Sequence, residues 1–259
     1  MKTAFVRSLV IVSLFLIASA GPARADFTFG PAANLGPVIN SGEDGSPSVS
    51  ADGLSLYFDA RRSGGFGDYD IWVTARASDL DLWGPPVNLG SAINTGAFDG
   101  QPYPSADGLS LSFASDRPGG QGAMDIWVAT RVAKDAPWGN PVNLGPVVNS
   151  GFDDLSPSMP ADGLSLFFCS TRPGGLGGWD VWMTTRASVA EPWGQPLNLG
   201  SPINSSYHEA YAGIAADGRL LILSETYQAP FRPGGLGGGD IWVASRVTKS
   251  APWGTPVNV

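Results

Sequence analysis

Past residue 25, apolar side chains fall in short runs cut by glycine, proline and aspartate, and no stretch carries sustained helical periodicity. Residues 156–199 show the pattern in full. Ser156–Pro160 reads as a first strand, and Ala161-Asp162-Gly163 follows as a tight hairpin turn of the Asp-Gly type. Leu164–Cys169 is a second strand of large apolar residues. A loop, RPGGLGGWD, leads to a third strand over Val181–Thr185. A connector ending in Pro192-Trp193-Gly194 then precedes a short fourth strand, Pro196–Leu199.

This unit recurs four times. Ala-Asp-Gly begins at Ala51, Ala106, Ala161 and Ala216, a constant step of 55. Asp-(Ile/Val)-Trp begins at Asp70, Asp125, Asp180 and Asp240, and Trp-Gly at Trp83, Trp138, Trp193 and Trp253. The fourth copy carries five extra residues between Ser224 and Arg232. Radial repetition of four-stranded units predicts an all-β fold, a β-propeller of four blades with four antiparallel strands each. A β-solenoid has shorter repeats with fewer hairpins. The blades fall near residues 41–90, 95–145, 150–200 and 205–259, giving one domain over 26–259. Phe29-Gly30-Pro31-Ala32-Ala33-Asn34-Leu35 matches the fourth-strand pattern WGPPVNL, so five strands of that type serve four blades. The simplest expectation is ring closure by an N-terminal strand within 27–40, paired with blade four. Trp253–Val259 would then compete for that edge, and pairing with a second molecule is the other alternative.

The stretch SPSVSADGLSLYFDARRSGGFGDYDIWVTAR (46–76) resembles the WD40-like β-propeller repeat known as PD40, found in the propeller domain of TolB. The resemblance implies the same fold and an extracytoplasmic setting. The period is longer than that of WD40 blades, about 40–45 residues, and TolB's separate N-terminal domain has no room here, so TolB's role does not follow.

Composition narrows the function. Gly (35) and Pro (22) are the cost of many turns, while nine Trp and twelve Phe supply a core that a disordered chain lacks. Lys2 and Arg7, the apolar run Leu9–Ile17 and the Ala23-Arg24-Ala25 site read as a cleaved signal peptide over 1–25, placing the protein in the periplasm or outside the cell. Its removal takes three bases and no acid, moving the net charge from −8 to −11. That balance excludes nucleic acid as a partner, and after cleavage no segment inserts into a membrane. Cys169 is the single cysteine, so no internal disulfide forms.

Candidate chemistry lies in the loops. Seven residues before each Ala-Asp-Gly stands an acid: Asp44, Asp99, Asp154 and Glu209. At the mouths of four innermost strands they form either a ring of oxygen ligands for a hard cation such as Ca2+, or local clamps. In the second reading each accepts from backbone amides or pairs with the recurring Arg62, Arg117, Arg172 or Arg232. Asp70, Asp125, Asp180 and Asp240 follow Gly-rich turns and are expected to bind exposed amides. Trp72, Trp127, Trp182 and Trp242 are expected between blades.

Departures from the repeat carry more functional information than its constants, because what recurs fourfold serves the fold. Blade four departs most, with Tyr207, His208, Glu209 and Tyr211 in the loop leading into its first strand, and Tyr227 and Phe231 in its Gly-rich insertion. Trp179 of blade three extends this patch, and Tyr69 of blade one is a further candidate. Aromatic faces with a few polar groups suit a protein, peptide or glycan ligand. No catalytic residue is assigned: there is no Gly-x-Ser-x-Gly elbow, and one His with one Cys gives no zinc set. The expectation is a non-catalytic, monomeric binding or scaffold module. The alternatives are a glycosidase-like enzyme using loop carboxylates and a purely structural assembly module.

Overall fold

The computed structural model describes residues 10–11, 30–225 and 230–259. Most of the proposed signal peptide, and Tyr227, lie outside the described residues. Among those described, no helix is long and apolar enough to cross a membrane.

Four antiparallel sheets follow one another, each strand beside its sequence neighbour. Blade one comprises β3 (Glu43–Val49), β4 (Ser55–Arg61), β5 (Asp70–Ala75) and β6 (Val87–Asn88), preceded by β1 (Val10–Ile11) and β2 (Ala33–Asn34). Blade two comprises β7 (Asp99–Pro104), β8 (Ser110–Ser115), β9 (Asp125–Thr130) and β10 (Val142–Asn143). Blade three is β11 (Asp154–Ser158), β12 (Ser165–Ser170), β13 (Asp180–Thr185) and β14 (Leu197–Asn198). Blade four is β15 (Glu209–Ile214), β16 (Leu220–Glu225), β17 (Ile241–Ser245) and β18 (Val257–Asn258). The chain forms a four-blade β-propeller.

Local chemistry explains the strand limits. Each Ala-Asp-Gly turn places its glycine in the left-handed region, as at Gly53 (φ 75), whose N–H donates to Ser50 O at 2.8 Å. β3, β7 and β11 are each bulged where a left-handed Ser46, Gln101 or Ser156 precedes a proline that cannot donate to the ladder. In β15 the corresponding residues are Tyr211 and Ala212, and the irregularity moves to between Glu209 and Tyr211.

Adjacent blades bury one another's flat faces. Tyr57 and Ile71 of blade one meet Leu111, Phe113 and Trp127 of blade two, and Ile126 meets Leu166, Phe168 and Trp182. Phe167, Cys169 and Val181 meet Leu221, Leu223 and Trp242. A buried asparagine locks each junction. Asn94 accepts from Ile71 N (2.8 Å) and donates to Ile71 O (3.0 Å), and Asn149 holds Ile126 and Asn204 holds Val181 in the same way.

Among the described residues the expected N-terminal closing strand does not pair with blade four. β18 completes blade four, with Trp242 opposite Asn258 as Trp182 is opposite Asn198, and β2 pairs with β1 instead. Strands of blades one and four make no contact like those at the three junctions. The physical reason is chain economy: β18 reaches β17 through a short connector, whereas β2 must close a loop of roughly two hundred residues, which costs more entropy. The connector also brings its own fasteners, Gly254 N donating to Ser245 O (2.8 Å) and Val259 N to Ile241 O (3.2 Å).

The hairpin turns give the protein an acid sensitivity. Ser50 holds the Asp52 carboxyl below its usual range, helped by Lys134; Ser105 does so for Asp107, and Lys249 for Asp162. A depressed carboxylate adds stability above its unfolded value and loses it as pH falls through the folded one. The melting temperature is therefore expected to fall steadily below about pH 4; a melting temperature flat from pH 6 to 3 contradicts this.

Candidate functional site

The four recurring acids are almost wholly buried, at 3% exposure or less. Asp99 shows the arrangement. It accepts from Thr95 N (2.5 Å), Thr95 Oγ1 (2.8 Å), Ser115 Oγ (2.6 Å) and Arg117 Nη2 (2.5 Å). Asp44 pairs with Arg62 at 2.6 Å, Asp154 with Arg172 at 2.5 Å and Glu209 with Arg232 at 2.7 Å. Each guanidinium also lies 5.2–5.8 Å from the centroid of the Trp that follows its own Gly-rich loop. These carboxylates tie the leading loop to the Gly-rich loop of the same blade, which is the clamp of the sequence analysis. No group of three or more His, Cys, Asp or Glu side chains that could hold a metal ion assembles among the described residues.

The second set of aspartates also serves the backbone. Asp70 accepts from Phe66 N (2.6 Å), Asp125 from Gln121 N (2.5 Å), Asp180 from Leu176 N (2.9 Å) and Asp240 from Gly237 N (3.2 Å). Cys169 is fully buried, and desolvation pushes its thiol well above the usual range, so it is no nucleophile.

Blade four breaks the scheme. β8 and β12 end in Ser115 and Ser170, whose hydroxyls accept from Nε of Arg117 (2.9 Å) and Arg172 (3.0 Å). β16 ends in Glu225, buried and directly opposite Glu209 across the ladder. Glu225 Oε1 accepts from Arg232 N at 2.5 Å, while Glu225 Oε2 and Arg232 Nε are buried with no partner among the described residues. Nδ1 of His208 is in the same position. Glu209 thus holds the Arg232 guanidinium while Glu225 holds only its backbone N–H, so two carboxylates face each other where blades two and three have one acid and a serine.

Around this corner the predicted aromatic residues divide. Trp179 and His208 form an isolated parallel bridge, and Glu209 N donates to Trp179 O at 2.9 Å. The imidazole lies over Gly178, where a Cβ would strike it. Tyr207 sits in the same loop, its carbonyl against Gly177, and Phe231 adjoins Arg232. Tyr211 stands two residues along β15 and is 37% exposed. Tyr69 belongs elsewhere: it packs on Phe98 (5.6 Å) at the junction of blades one and two, under Arg61. Glu225 was visible in the sequence as a departure from serine, but its pairing with Glu209 depends on the strand register.

No family model matches the chain, and no curated protein does. Solved structures match in fold. TolB from Acinetobacter baumannii is 16% identical (TM-score 0.53) over 83% of this chain, which spans only 44% of that one. An alpha-L-arabinofuranosidase from Lactobacillus brevis is 15% identical (0.54), covering 84% of this chain and 76% of its own. A thermostable family-43 glycoside hydrolase is 13% identical (0.56), covering 92% and 85%. This chain is thus a β-propeller similar in architecture to TolB and to glycoside hydrolases alike, and no family model supports the PD40 repeat itself.

Proposed function

We propose that this protein is an exported, non-catalytic β-propeller that binds a protein or glycan partner through the face carrying the leading and Gly-rich loops, at the blade-four corner. One observation carries the reading: among the described residues Glu225 Oε2 and Arg232 Nε are left unpaired where Ser115 and Ser170 pair with Arg117 and Arg172 in blades two and three, and His208 Nδ1 beside them is unpaired as well. A native fold leaves few buried polar groups unpaired, and those that remain call for a partner. A ligand offering both donors and acceptors, such as a sugar or a peptide backbone, meets all three, while Trp179, Tyr207 and Tyr211 offer apolar faces beside them. Pull-down of glycans and envelope proteins by the wild type and by a Tyr207/Tyr227/Phe231 triple-alanine variant tests this. Retained ligand is expected to fall at least about tenfold, the loss of roughly 1.4 kcal/mol, with the melting temperature unchanged. Equal retention rejects the site.

The Glu209–Glu225 pairing favours a second reading, glycoside hydrolysis, which needs two facing carboxylates. Glu209 is already held by Arg232, which disfavours a proton-transfer role. Turnover of aryl glycosides that is lost in both Glu209→Gln and Glu225→Gln would establish the enzyme.

A further inference from the structure

The leading edge of blade one is a blade junction with one side missing. Asn34 Oδ1 accepts from Gly36 N (2.7 Å) and Asn40 Nδ2 (2.8 Å), as Asn88 Oδ1 accepts from Gly90 N (2.8 Å) and Asn94 Nδ2 (2.9 Å). The connector is therefore preformed. Asn94, Asn149 and Asn204 use their remaining oxygen to hold the third strand of the preceding blade, but Asn40 Oδ1, though itself buried, has no partner among the described residues, and Asn40 as a whole is the least buried of the four.

Blade four presents the missing side. Ile71, Ile126 and Val181 are fully buried by the next blade, whereas Ile241 is only partly buried, and its carbonyl accepts from Asn258 Nδ2 (3.3 Å) within its own blade instead of from a connector asparagine of a following one. A Cβ on Gly67 would lie 2.5 Å from Thr95 O in the next blade; one on Gly237, at the same position of blade four, would meet nothing. Asp99 N, Asp154 N and Glu209 N each donate to the residue before the preceding third-strand Asp, namely Tyr69, Met124 and Trp179. The fourth such bond, from Asp44 N to Gly239 O, is not made. Lys134 and Lys249 reach back to Asp52 and Asp162 on the previous blade's turn. Blade one carries Asp79 in the lysine's place, and on the blade-four turn Arg219, where the other blades have leucine, pairs with Asp217 at 2.8 Å.

We propose that these two edges are halves of one junction, completed head to tail by a second copy of this chain. Asn40 of one copy clamps Ile241 of the other in place of Asn258, β2 takes the edge held by β18, and Asp79 faces the Arg219–Asp217 pair. A second copy fits better than closure within one chain, because three junctions locked by asparagine and buried aromatics would all have to turn further to bring blade four onto blade one. Two copies joined by two such heterologous contacts close a ring of eight blades, within the range propellers adopt.

The test is an Asn40→Cys/Ile241→Cys double variant, oxidised and run without reductant, beside light-scattering mass of the wild type. Cys169 is buried and does not interfere. A covalent dimer and a wild-type mass twice that of the 26.9 kDa chain are expected, less any cleaved leader. Ile241→Glu is expected to weaken association about tenfold or more, while circular dichroism still reports the folded propeller. A monomeric wild type at high micromolar concentration, or a disulfide formed only within one chain, overturns the proposal. Loss of the blade-four ligand in the triple-alanine variant leaves this result untouched, so the two proposals fail separately.

Discussion

Replacing Asp154 with alanine is expected to destabilise the propeller by about 3–5 kcal/mol, the range for breaking a buried ion pair from one side. Asp154 is fully buried and accepts from Ser150 N, Ser150 Oγ and Arg172 Nη2, while its own N–H donates to Met124 O of blade two. Alanine keeps that last bond and loses the others. Arg172 would stay wedged against Phe168 and Trp182, with Val148 O and Ser170 Oγ as its remaining acceptors. Most of the loss comes from that stranded cation rather than from the pair's own attraction. An Asp154→Leu/Arg172→Met double variant should therefore recover a large part of it. Thermal unfolding reads the effect as about 2–4 °C for each kcal/mol in a domain of this size. A single-variant loss below about 1 kcal/mol would show that the pair is screened like a surface bridge.

That pair also shows how far the sequence could be read. Acid and arginine recur at fixed places in four copies, so a role in the blade could be inferred before any geometry. Whether the acids gathered at the axis or stayed within their blades could not, since spacing fixes which loop a residue occupies but not where its side chain turns. Burial decides it. At 0–3% exposure each carboxylate needs a local counter-charge, and the arginine of its own Gly-rich loop is the nearest.

Strand positions in the third copy were legible to within a residue or two, because apolar runs and turn glycines bound them tightly. The start of β11 at Asp154 rather than Ser156 was not, since it depends on the bond from Asp154 N to Met124 O in another blade. Closure failed for a related reason. Phe29–Leu35 and Trp253–Val259 carry the same strand pattern, and pattern alone does not rank two candidates for one edge. The blade-four corner lies between these cases. Its aromatics stood out as breaks in the repeat, but the facing of Glu209 and Glu225 required the β15–β16 register.

The largest core effect is expected at Phe168, whose truncation to alanine should cost about 3–5 kcal/mol. Its ring is fully buried with Ile126, Val148, Leu166 and Trp182, so the cavity would open at the seam between blades two and three, bounded on one side by Ile126 of blade two. Ile222 makes the comparison informative. It occupies in blade four the place of Phe167 in blade three, facing onward to a following blade, yet it is half-exposed where Phe167 is fully buried. Ile222→Ala should accordingly cost only about 1–2 kcal/mol in dilute protein, because much of its surface already meets water. The two variants separate on concentration. Phe168 lies inside one chain, so its cost is the same at every concentration. If a second copy seats on blade four, Ile222 becomes interior, and its cost rises as the protein is concentrated through the association range, since whatever binds only the folded state adds stability by mass action. Urea unfolding of both variants at two concentrations measures this directly. A cost for Ile222→Ala that stays constant would mean its face remains open to solvent.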